Sequence, residues 1–183
     1  GEVEATFPCF LEDLARGDAR EVYDELIRPD GKVLKPDIVL TPLPRYDLLD
    51  LEAYHMATVQ FCRGCPWECE WCDITKLFGR VTRTKTNAQM LKEFQGLYDL
   101  GWRGPVFLVD DNFIGNRRNA LRLLPDLAQW QQEHDYPFPL CTEASVDLVE
   151  HPELLNALPE AGFNLIFCGI ETLSLEALLT MKK

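Results

Sequence analysis

Cys65, Cys69 and Cys72 stand in the string Cys65-Pro66-Trp67-Glu68-Cys69-Glu70-Trp71-Cys72, three thiols at a Cys-x3-Cys-x2-Cys spacing. Three thiolates on a short loop can cap three irons of a cubane, which leaves the fourth iron without a protein ligand and open to a chelating small molecule. Cys62 offers other readings of the same stretch, because Cys62 with Cys65 and Cys69 with Cys72 form two Cys-x2-Cys pairs. Such pairs suit a structural four-cysteine zinc site, but zinc pairs are usually separated by about 12 to 20 residues, and only three residues intervene here. A fully ligated electron-transfer cluster on all four thiols is the third reading.

Carboxylates supply the other candidate chemistry, and each follows an apolar run. Asp110 and Asp111 follow Val106-Phe107-Leu108-Val109, Glu143 follows Leu140-Cys141-Thr142, and Glu171 comes shortly after Leu165-Ile166-Phe167-Cys168. Between Ile74 and Lys92 the cations Lys76, Arg80, Arg83, Lys85 and Lys92 occur with no acid among them. That run is either a solvated loop and helix start or an anion-binding stretch. His55, His134 and His151 have no ligand spacing, and Cys9, Cys141 and Cys168 read as small buried side chains.

The elements that must position these residues follow from hydrophobic period. From residue 58 onward β-like apolar runs alternate with amphipathic helical runs, the pattern of a parallel sheet wrapped by helices. The expected strands are Thr58 to Phe61, Val106 to Val109, Leu140 to Thr142, and Leu165 to Cys168. The first helix is predicted to start at Thr86, which has capping-box spacing to Gln89, with Met90, Phe94 and Leu97 as its buried stripe and Gly101 as its stop. The second carries Ala120, Leu123, Leu124, Leu127 and Trp130, with Pro125 expected to kink or split it. The third opens on Pro152, buries Leu154, Leu155 and Leu158, and stops at Gly162; Ser174 caps a last helix.

Four βα units in a row match part of a barrel, and the right-handed crossover rule puts all four strand ends, with their polar residues, on one rim. The fold class is therefore α/β: a partial (β/α) barrel of parallel strands over residues 58–183, preceded by an irregular acidic connector over residues 1–57. The connector carries a short helix signal around Phe10 to Ala15 and a possible hairpin near Asp30-Gly31. The chain opens without an initiator Met and stops within a helical pattern, so a segment of a longer protein is expected.

A net charge of −12 argues against general nucleic-acid binding, which needs a basic surface. No apolar run approaches the roughly 18 to 20 residues that span a bilayer, so no transmembrane segment is expected. Four of seven cysteines fall between Cys62 and Cys72, a clustering that suits metal binding in a reducing compartment, with the cytoplasm as the simplest location.

The stretch Gln60 to Asp73 resembles the signature of the radical S-adenosylmethionine (SAM) superfamily. Arg63-Gly64-Cys65-Pro66, Leu77-Phe78-Gly79-Arg80, Val109-Asp110-Asp111-Asn112-Phe113-Ile114-Gly115-Asn116, Thr142-Glu143-Ala144-Ser145 and Gly169-Ile170-Glu171-Thr172 together resemble cobalamin-binding radical SAM proteins of the hopanoid methylase type. The resemblance implies a 4Fe-4S cluster on Cys65, Cys69 and Cys72, with SAM on the open iron. It also implies reductive cleavage to a 5'-deoxyadenosyl radical, with the electron coming from a reductant such as flavodoxin or ferredoxin. Trp71 would lie near the adenine, one of Asp110 and Asp111 near the SAM ammonium, and Glu143 and Glu171 near the ribose hydroxyls and ammonium. Arg80 would approach the SAM carboxylate or a polar substrate group. Gly1-Glu2-Val3-Glu4 resembles the turn that closes the family's cobalamin domain, with Val3 a departure, so that domain is expected upstream. Cys62 departs from the family's usual Ser or Thr and reads as a small side chain on the strand. The implied activity is cobalamin-dependent methylation of an unactivated carbon in a lipid such as a hopanoid. Other radical SAM chemistry, or a non-catalytic iron-sulfur or zinc module, remains open.

Overall fold

The computed structural model describes residues 2–23 and 35–183; the hairpin expected near Asp30-Gly31 lies outside them, as does Gly1. Helix α1 (Phe7–Arg16) has Pro8 in its first turn and ends at Gly17, whose φ of 79° is the left-handed C-cap conformation that glycine adopts without strain. Single 3-10 turns follow at Ile38–Leu40, Tyr46–Leu48 and Leu51–Ala53. Tyr46 anchors this stretch to the sheet: its ring is buried and its hydroxyl donates to the Thr58 carbonyl at 2.9 Å.

Strand β1 (Ala57–Val59) leads into β2 (Cys62–Arg63), which pairs antiparallel with β3 (Arg83–Thr84), and the cysteine loop with the short helix α2 (Ile74–Leu77) lies between them. The sequence pattern gave no sign of this two-residue hairpin, because elements so short leave no period. Gly64 makes the loop possible. It sits at φ +95°, and a Cβ there would meet the Gly79 and Val81 carbonyl oxygens at 2.9 Å.

Helix α3 (Asn87–Asp99), strand β4 (Val106–Leu108), helix α4 (Arg117–Glu133), strand β5 (Leu140–Glu143), helix α5 (Pro152–Glu160), strand β6 (Phe163–Phe167) and helix α6 (Leu175–Met181) complete the chain. Among the described residues the main sheet has the order β1-β4-β5-β6 with every pairing parallel. This is the parallel α/β architecture expected. No helix among the described residues is long and apolar enough to cross a membrane.

Local chemistry accounts for the helix ends. The Thr86 and Gln89 capping box is formed in both directions, Pro152 opens α5, and Ser174 accepts from the Ala177 N–H. Met90, Phe94 and Leu97 from α3, Leu123, Leu124 and Leu127 from α4, and Leu154 and Leu158 from α5 form a dry layer against the sheet. Burying one such side chain contributes about 1.5–3 kcal/mol.

Three expectations are corrected. Pro125 does not split α4, which is continuous from Arg117 to Glu133; Pro125 is exposed, so water can take the carbonyl that its missing N–H leaves unpaired. Leu155 is 42% exposed rather than part of the buried stripe. The last strand starts at Phe163, two residues before the expected Leu165, and Leu165 and Phe167 are exposed because β6 is an edge strand of the described sheet.

Candidate functional site

All four strands of the main sheet deliver their C-terminal ends to one rim, and a pocket of about 250 Å³ opens there. The segment after β1 and β2 brings Cys65, Cys69 and Cys72 with Trp67 and Trp71; the β4 end brings Asp111 and Asn112. The β5 end brings Glu143 and Ser145, and the β6 end Gly169 and Glu171. Trp71 is 48% exposed, with its ring open to the pocket.

The loop is held from behind. The Cys65 N–H donates to the Gly79 carbonyl at 3.3 Å, the Thr82 hydroxyl donates to the Gly64 carbonyl at 3.1 Å, and the Glu70 N–H reaches the Met181 carbonyl at 3.0 Å. Arg80 does not line the pocket. Its guanidinium donates to the Pro66 carbonyl, from Nη2 at 2.9 Å, and pairs with Glu68 at 2.7 Å, so it braces the loop. Arg83 lies farther off, where it pairs with the buried Glu2 carboxylate and donates to the Phe78 carbonyl. Lys76 pairs with Asp73, and Lys85 with Glu93 in the interior. The basic run between Ile74 and Lys92 is thus neutralised in large part by acids just outside its two ends, Glu68, Asp73 and Glu93, and by the distant Glu2.

Two adjacent aspartates differ sharply. Asp110 is 2% exposed and faces inward, where Oδ1 accepts from the Phe61 and Cys62 N–H groups at 2.8 Å each and ties β4 to the segment leading into β2. Its Oδ2 has no partner among the described residues. Burial pushes the Asp110 carboxyl up to about 7, against the pull of those two N–H groups. Asp111 turns the opposite way, into the pocket wall, and accepts from the Gly64 N–H at 2.7 Å. Burial pushes its carboxyl up, opposed by the Gly64 bond and the charges of Arg63 and Arg83. The alternation of side chains along an extended segment separates the pair.

Glu171 occupies φ 64°, left-handed backbone that is rare for a residue with a Cβ. Its carboxylate lies 3.5 Å from the Lys183 ammonium, which also stands 5.7 Å from the centre of the Trp71 ring. Neither Glu143 nor Glu171 pairs with Arg80 or Arg83 among the described contacts.

The donor set suits an iron-sulfur cubane. Three thiols border one space, whereas the Cys62 thiol is fully buried, donates to the Asn112 carbonyl at 3.4 Å and stays out of the pocket. Among the described residues no three His, Cys, Asp or Glu side chains are arranged around a single ion. A cubane places each thiolate on a different iron, so its ligands surround a volume instead of converging on a point. Cys141 is buried, as expected, while Cys9 and Cys168 are half-buried. Asn112 and Ser145 appear in the sequence motifs without an assigned role, yet both line the pocket; the available signal was their place directly after a strand.

No family model matches the chain. It is 52% identical over 182 residues to an uncharacterized methyltransferase of Synechocystis sp., covering 100% of this chain and 33% of that protein. A hopanoid C-2 methylase of Rhodopseudomonas palustris is 44% identical over 180 residues, covering 91% of this chain and 34% of the methylase. The chain therefore spans about a third of the length of these curated relatives. Among solved structures, the cobalamin-dependent SAM radical enzyme OxsB, with aqua-cobalamin and SAM bound, shares the fold at a TM-score of 0.74 and 20% identity, over 99% of this chain and 28% of that one. The radical SAM methyltransferase TsrM of Kitasatospora setae, with cobalamin and a [4Fe-4S] cluster bound, matches at a TM-score of 0.61 and 20% identity, over 70% of this chain and 25% of its own. Along its length the chain is similar to a hopanoid C-2 methylase, and it shares its fold with cobalamin-dependent SAM radical enzymes, the group that its five ordered motifs resemble.

Proposed function

We propose that the protein carrying this chain is a radical SAM methyltransferase that holds a 4Fe-4S cluster on Cys65, Cys69 and Cys72. The observation that carries this reading is the meeting of those thiols with Trp71, Asp111, Glu143 and Glu171 in one pocket at the strand ends. When bound there, such a cluster supplies an open iron for the amino and carboxylate groups of SAM and the electron that breaks its sulfur-carbon bond.

The chain's own residues bind, orient and exclude water. Asp111 is the member of the aspartate pair assigned to the SAM ammonium, because it lines the pocket while Asp110 holds backbone. Glu143 and Glu171 are assigned to the ribose hydroxyls and the ammonium, since carboxylates accept from both donor types. Trp71 offers a flat apolar face for the adenine, and Trp67 covers the loop side. Arg80 acts by keeping the loop in place. By enclosing SAM, these residues would keep water away from the reacting centre.

The substrate class and the methyl carrier come from the relatives. A hopanoid-like polycyclic lipid is the proposed acceptor, cobalamin the proposed methyl carrier in the whole protein, and a flavodoxin or ferredoxin the proposed electron donor. Residues 1–57 are proposed as the connector between a cobalamin domain and the barrel.

Anaerobic reconstitution followed by EPR of the reduced protein, with and without SAM, tests the reading. SAM is expected to change the signal, and an unchanged signal overturns the open-iron assignment. Cys62→Ala is expected to keep the cluster; its loss would restore the four-cysteine readings.

A further inference from the structure

Asn112 is 3% exposed and makes directed contacts with three parts of the rim. Its Oδ1 accepts from the Ser145 N–H at 3.2 Å, its Nδ2 donates to the Ser145 hydroxyl at 2.9 Å, and the same Nδ2 lies 3.9 Å from the Cys65 sulfur. Its main-chain carbonyl accepts from the Cys62 thiol at 3.4 Å and the Gly115 N–H at 2.9 Å. The orientation of the amide is fixed by chemistry. A backbone N–H can only donate, so Ser145 requires the oxygen of Asn112 on its side, and the NH2 group must then turn toward Cys65.

Building on the cluster reading above, we infer that Asn112 is a positioning residue whose side-chain N–H sets the reduction potential of the cluster through the Cys65 sulfur, while tying the β5 loop to the cysteine loop. Hydrogen bonds to the sulfurs are among the quantities that set iron-sulfur potentials. A donor stabilises the more negative, reduced state, because it interacts with the added charge. Two features make this specific to Asn112. It is almost wholly shielded from water, which leaves its dipole little screened, and its two bonds to Ser145 hold the amide in one orientation.

Asn112→Asp is the direct test, since it keeps size and the acceptor for the Ser145 N–H while replacing the donor beside Cys65 with an oxygen. Redox titration of the reconstituted holoprotein, followed by EPR, is expected to show a shift to more negative potential. At the wild-type midpoint, a tenfold drop in the reduced-to-oxidised ratio corresponds to about 59 mV for one electron. A cluster that assembles with an unchanged or more positive midpoint overturns the inference, and wild-type protein that assembles no SAM-responsive cluster overturns the underlying reading instead. Wild-type protein labelled with 15N-asparagine gives a measurement independent of the variant's folding. Pulsed EPR of its reduced cluster is expected to show a weakly coupled 15N that disappears in unlabelled protein, and the absence of that coupling equally overturns the inference.

Discussion

The helix-covered side of the sheet and the rim at its strand ends are built from opposite materials. On the covered side Phe94, Leu97, Leu123, Leu124, Leu127 and Leu154 are completely buried. At the rim, Trp67 and Trp71 are 45% and 48% exposed, and the three loop cysteines are half-buried. Apolar side chains on one side define the shape, so the rim is free to carry thiols, carboxylates and aromatic faces that would be costly inside. Stability and ligand binding should therefore respond to different substitutions.

Cys69→Ala gives the largest expected effect and bears only on the rim. Iron-sulfur absorbance after reconstitution should disappear, while unfolding of the cluster-free protein should move by no more than about 0.5 kcal/mol, the range of surface changes away from packed features. A retained cluster, or an unfolded variant, would break the separation. Leu124→Ala probes the other side. Deleting a fully buried leucine is expected to cost about 2–5 kcal/mol in chemical denaturation, with the SAM-dependent EPR change intact at temperatures where the variant stays folded. Thr86→Ala should cost about 1 kcal/mol through loss of the helix cap, again with no change at the rim, as measured by the same denaturation series.

The two regions also differed in how openly the sequence displayed them. The stripes of α3 and α4 and the caps at Thr86, Pro152 and Ser174 could be read because helical period and capping are local. The cysteine loop could be read because three ligands to one cluster must lie close together. What the sequence concealed was nonlocal. Asp110 and Asp111 are neighbours with the same chemistry, and only the three-dimensional partners, the Phe61 and Cys62 N–H groups for one and the pocket for the other, separate a brace from a wall residue. Arg83 stands in a run of cations with no acid among them, and its partner Glu2 lies 81 residues away in sequence. The Asn112 and Ser145 bridge joins two strand ends that no local pattern connects.

Asp110 stands where core and rim meet, and its titration gives the finest test of the boundary. Its folded-state carboxyl is raised from 3.8 to about 7, mainly by burial, with Asp111 adding to the rise and Lys85 opposing it. The folded protein thus favours the protonated form. The resulting stabilisation is complete below the unfolded value of 3.8 and is lost as pH rises through about 7. Between those limits this single group lowers stability by at most about 1.4 kcal/mol per pH unit. Asp110→Asn retains an oxygen for the Phe61 and Cys62 N–H groups and cannot ionise, so the variant should gain on the wild type as pH rises from 5 to 7. Denaturation of the cluster-free proteins across that range checks the difference, in which slopes from other groups cancel. Parallel curves would mean that Asp110 is ionised in the fold with its charge compensated, and that the core continues past the strand end less drily than its burial implies.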